Sequence, residues 1–120
     1  MTQEYKELLT KDLCARLPYG VKVLFENKVF SIDYISAAYE EIKLDILENY
    51  TLDISEVKPY LFPLSSMTGE QQINLTEFVA NGIHGENILY DWLNKNHFDY
   101  RGLIEKGLAI DATGLNVYSS

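Results

Sequence analysis

Residues 56–71, EVKPYLFPLSSMTGEQ, divide the chain into two unlike halves. Upstream, apolar residues mostly alternate, as in strands; downstream, they mostly recur at helical spacing. The stretch holds Pro59 and Pro63, two of the three prolines, and the apolar run Tyr60, Leu61, Phe62 and Leu64. It is too apolar for a flexible linker. Its prolines, which lack an N–H, argue against one long helix and against a central strand. The reading is a buried connector that packs the two halves together. Its end, Thr68-Gly69-Glu70-Gln71, has the spacing of a capping box, so a helix should start near Gly69.

Upstream, residues 2–17 read as a helix. Tyr5, Leu8, Leu9, Leu13 and Leu17 fall on one face, Thr2 is placed to cap it, and Pro18 stops it. Val21, Val23 and Phe25 then alternate with Lys22, Leu24 and Glu26, and residues 26–28 suit a hairpin turn. Residues 29–35 follow as a strand with Phe30, Ile32 and Tyr34 on one face. Glu41, Lys43 and Asp45 alternate with Ile42, Leu44 and Ile46. A short fourth strand fits residues 50–54. Short connections favour antiparallel neighbours, a meander that curls as it twists, with a half-barrel as its limit.

Downstream, residues 69–78 and 85–96 read as helices, the second with an apolar stripe of Ile88, Leu89, Trp92 and Leu93. Asp99 is placed to cap a last short helix over residues 100–106, ended by Gly107. The expected fold is therefore α+β in a single domain, residues 1–120. An N-terminal helix precedes a curved antiparallel sheet of three to four strands, and two to three C-terminal helices pack on that sheet.

Composition narrows the function classes. With 47% hydrophobic and 23% charged residues among 120, the chain has globular composition and enough length for one core. A net charge of −8 argues against unaided binding to nucleic acid or anionic lipid, where phosphate neutralisation dominates. One cysteine, Cys14, excludes an internal disulfide. The polar start, MTQEYKELL, carries no apolar signal region, and no apolar run spans a membrane. A cytoplasmic protein is the expectation.

Three blocks carry a resemblance. KDLCARLPYGVKV, KPYLFPLSSMT and HFDYRGLIEKGLAI resemble a family of small uncharacterised proteins encoded in phages and mobile elements of gut anaerobes. The resemblance implies a mobile-element origin and an intracellular setting. It implies no activity, cofactor or catalytic residue.

The candidate sites are few. His97, Asp99 and Arg101, beside Tyr100, form the densest polar cluster and could serve acid–base work or grip an anion. The structural alternative is a capping Asp99, an ion-paired Arg101 and a His97 that closes the preceding helix. His84, Glu86 and Asp91 lack a metal-ligand spacing, and no metal is expected. Ser65, Ser66 and Thr68 lack a nucleophile context, Cys14 reads as an inert thiol, and no glycine-rich phosphate loop is present. No cofactor is expected.

Residues 33–53 hold six carboxylates and one lysine. Asp33, Glu40, Glu41 and Asp45 are the candidate interaction residues, with a basic protein as their chemical complement. The leading reading is a non-enzymatic accessory or interaction protein. The rivals are a small enzyme built on His97, Asp99 and Arg101 and, opposed by the charge, a nucleic-acid-associated module.

Overall fold

The computed structural model describes residues 1–45, 51–80 and 85–118. Helix α1 (Gln3–Arg16) starts where the Thr2 side-chain oxygen accepts the N–H of Tyr5, with Glu4 at the positive end of the dipole. Leu9 and Leu13 are buried, while Tyr5, Leu8 and Leu17 are half-buried. A 3₁₀ turn over Leu17–Tyr19 leads to Gly20, whose φ of 71° only glycine adopts freely.

Strand β1 (Lys22–Phe25) pairs antiparallel with β2 (Lys28–Ser36) through a turn in which Glu26 and Asn27 both have positive φ. β2 pairs antiparallel with β3 (Glu41–Leu44), and β3 with β4 (Leu52–Asp53). Val21, Val23, Phe25, Phe30, Ile42 and Leu44 are buried in one cluster with Leu9 and Leu13 of α1. Alternation thus fixes the inward face of β1 and β3. In β2 it fails after Ile32. A register shift makes Asp33 the extra residue of a bulge, so Tyr34 turns to solvent and Ile35 stands opposite the buried Ile42. Ile46 and Tyr50 lie outside the described residues.

The connector becomes a strand, contrary to its proline content. β5 (Lys58–Pro63) pairs with β1 antiparallel, and in parallel with β6 (Phe98–Asp99) and β7 (Ile110–Asp111). Among the described residues the sheet therefore has seven strands and mixed direction, in the order β4-β3-β2-β1-β5-β6 with β7 also on β5. It is not an antiparallel meander of three or four strands. The path is open, and no pairing joins its ends among the described residues. Pro59 is tolerated because the β1–β5 ladder spans only two residue pairs, and Pro63 is the last residue of its strand. Leu61 is fully buried, so the connector is also part of the core.

Among the described residues two α-helices follow, the lower of the two numbers expected. α2 (Gly69–Ala80) opens with both halves of the capping box: Thr68 Oγ1 accepts from Gln71 N, and Gln71 Oε1 accepts from Thr68 N. Over residues 69–77 its side chains are exposed or half-buried, so it lies at the periphery. α3 (Gly85–Lys95) buries Leu93, while Trp92 is half-buried and stacks on Phe98, 5.7 Å between centroids. Trp92 therefore sits beside the main core, not in it. The expected helix over residues 100–106 is a succession of turns, because Gly102 adopts positive φ and interrupts the helical conformation, while Gly107, also at positive φ, closes those turns as expected, its N–H donating to the carbonyl of Ile104. No helix among the described residues is long and apolar enough to cross a membrane.

Candidate functional site

The buried polar residues gather where α1 meets β6. Asp12 and Arg16, one helical turn apart, are both fully buried, and Arg16 Nε donates to Asp12 Oδ2 at 2.8 Å. Arg101 Nη1 donates to Asp12 Oδ1 at 2.6 Å, so one carboxylate serves two guanidiniums. Arg16 Nη2 donates to the carbonyl of Phe98, and Arg16 Nη1 has no partner. The Tyr100 ring faces both arginines, at 4.6 Å from Arg101 and 5.3 Å from Arg16. Two charges facing one leave the buried group net positive.

Asp99 sits in β6 rather than at a helix start, yet its carboxylate works as a cap does. Oδ1 accepts from Leu103 N and Oδ2 from Ile104 N, closing the turns that replace the expected helix. Arg101 is committed to Asp12. His97 follows α3 with φ of 61°, the left-handed conformation that glycine commonly supplies at a helix end. Its ring stacks on Tyr118, 3.7 Å between centroids and 9° between planes. Burial, and then the charge of Arg16, push its pKa down to about 4, so it is neutral at neutral pH. Its Nδ1 is buried without a partner.

The three sequence candidates do not converge. His97 lines an open cavity of about 600 Å³ with Lys22, Lys95 and Tyr118. Arg101 lines a second, of about 740 Å³, with Lys11, Asp91 and Tyr100. Both carboxylate oxygens of Asp99 are engaged by backbone. Of the metal candidates, His84 lies outside the described residues, and Asp91 is exposed beside Arg101. Cys14 is half-buried, and burial raises its thiol pKa, which suppresses the thiolate.

Sequence reasoning missed Asp12, Arg16 and Tyr118. The i, i+4 spacing of Asp12 and Arg16 was a usable signal. Tyr118 gave none, because its partners lie far away in the chain. Its hydroxyl accepts from Lys22 N and donates to the carbonyl of Tyr60. By the register of Val23 with Pro59, Lys22 and Tyr60 would form the next pair of the β1–β5 ladder. The phenol oxygen stands between them, relaying the bond that the two strands would otherwise make directly. Burial pushes the Tyr118 pKa up to about 12, so it stays protonated and able to donate.

The acidic candidates lie on the other side of the sheet path, around β2 and β3. Asp33, at the bulge, and Asp45 are exposed; Glu40 and Glu41 are half-buried. Asp45 Oδ1 accepts from Ser31 N, and Glu40 accepts from Gln3. Asp53, opposite Glu41, pairs with Lys6 at 2.6 Å. Between Asp33 and Glu40 in the chain come two exposed rings, Tyr34 at 55% and Tyr39 at 77% of their full accessibility, with Lys43 opposite Tyr34 on β3.

No family model, curated protein or solved structure matches this chain.

Proposed function

We propose that the chain is a non-enzymatic accessory protein of a phage or mobile element, acting inside the cell by binding a basic protein partner through the β2–β3 hairpin. The observation that carries this reading is the placement of Tyr34 and Tyr39. Both rings are largely in solvent, and Asp33, Glu40, Glu41 and Asp45 flank them in the chain. Exposed tyrosine is a common anchor at interfaces, and a rim of carboxylates selects a cationic partner and speeds its approach. The bulge at Asp33 is what turns Tyr34 outward.

The enzyme reading has less support. Both carboxylate oxygens of Asp99 are taken up by backbone N–H groups, Arg101 is ion-paired with Asp12, and His97 and Arg101 open onto different cavities. The net charge of −8 weighs against the nucleic-acid module.

The test compares wild type with Tyr34→Ser/Tyr39→Ser as baits in lysate of the host cell. A basic protein held by wild type and released by the variant is then purified and titrated calorimetrically. Binding that weakens with salt and is lost in the variant supports the proposal. Identical captures by the two baits reject it.

A further inference from the structure

We propose that the cavity beside His97 is a binding site for a small phosphomonoester carrying a flat ring. It lies where the start of β1, the end of α3, β5 and the turn at Val117 and Tyr118 meet. At about 600 Å³ it matches the size of a metabolite site and is far larger than a bare phosphate needs. Lys22 and Lys95 line it, and no carboxylate stands among its described lining residues. In a chain of net charge −8 this is a local reversal of sign. The charge of the buried Arg16 also reaches His97, second to burial in opposing its protonation, while its partner Asp12 acts on Tyr118 with the opposite sign.

Lysine ammoniums are point-charge donors suited to phosphate oxygens. Lys22 Nζ already donates to Ser31 Oγ at 2.6 Å, which leaves two of its three protons. Lys95 is exposed at the end of α3, where its charge also offsets the negative end of the helix dipole. The neutral His97 adds a polar group without a competing negative charge. Tyr19 and Phe62 supply aromatic wall for the ring of the ligand. The cavity is independent of the acidic hairpin and would serve a ligand whether or not that hairpin binds a protein.

The experiment titrates phenyl phosphate, inorganic phosphate and phenol into the full chain, by calorimetry and by NMR of the His97 ring protons. Saturable binding of phenyl phosphate is expected, with weaker binding of inorganic phosphate, none of phenol, and a shift of the His97 signals. Lys22→Gln and Lys95→Gln should each weaken phenyl phosphate roughly tenfold, as loss of one charge-assisted donor implies. Circular dichroism confirms that each variant is folded, and the wild-type His97 shift does not depend on either variant. No saturable binding of phenyl phosphate overturns the proposal. So does equal binding of phenol, affinity unchanged in both lysine variants, or saturation without a shift at His97.

Discussion

The imidazole of His97 lies flat against the phenol of Tyr118, with centroids 3.7 Å apart and planes 9° from parallel. The stack holds a neutral ring, because burial and the Arg16 charge lower its pKa from 6.5 to about 4. In the unfolded chain the same ring takes up a proton near pH 6.5. Between these values the unfolded state binds more protons, so stability falls as the pH drops through that window and is fully present above it. Discounted for water at the open cavity, the loss should be roughly 2 kcal/mol. Melting of wild type and His97→Gln between about pH 7 and about pH 4.5 checks it. A gap between the two that does not change with pH refutes the assignment.

Asp12 should be the most costly polar residue to remove. Asp12→Asn leaves Arg16 charged and fully buried without its counter-ion, a loss of about 3–5 kcal/mol. Arg101→Met removes a partner that is partly exposed and keeps the Arg16 pair, so about 1–2 kcal/mol is expected. Urea titrations of both give the order, and a larger loss for Arg101→Met would contradict it.

Asp99 accepts one backbone N–H on each oxygen, and the residue is buried. Asparagine has one acceptor oxygen and would turn its NH₂ towards the second N–H. Asp99→Asn should therefore lose about 1–3 kcal/mol, close to Asp99→Ala, unlike an ordinary helix cap where asparagine is harmless. Amide exchange at Leu103 and Ile104 reports the loss directly. Unaltered protection of both amides in the alanine variant would exclude the capping role.

Leu44 is 1% exposed and packs within the main cluster. Leu44→Ala should lose about 2–5 kcal/mol. A change below about 0.5 kcal/mol on denaturation would mean that β3 does not face the core as described.

The residues whose environment is local were readable from the sequence. Val21, Val23, Phe25, Ile42 and Leu44 follow period-2 burial, and Thr2 and Thr68 cap the helices they precede. The bulge at Asp33 was not readable, since one extra residue leaves no mark on composition, and everything beyond it changes face. β5 was misjudged because a proline is costly only where its N–H is needed, and pairing decides that. Gly102 dismantled a helix that the apolar spacing of Leu103 and Ile104 suggested, and Gly107 ended the segment as its position implied. In the candidate site, Asp99 and Arg101 were placed by local logic. The partners of Arg101 and Tyr118 were invisible because Asp12 lies 89 residues from Arg101, and Lys22 and Tyr60 lie 96 and 58 residues from Tyr118.

That separation bears on the order in which the molecule folds. The β1–β2 turn needs only two linking residues, so it can form within microseconds of collapse. Asp12 cannot meet Arg101 until nearly the whole chain has been gathered, a loop closure of high entropic cost. We expect the bridge to be absent from the folding transition state. Arg101→Met should then accelerate unfolding and leave the folding rate nearly unchanged, whereas Phe30→Leu in the hairpin should slow folding. A φ-value near one at Arg101 would reverse that order.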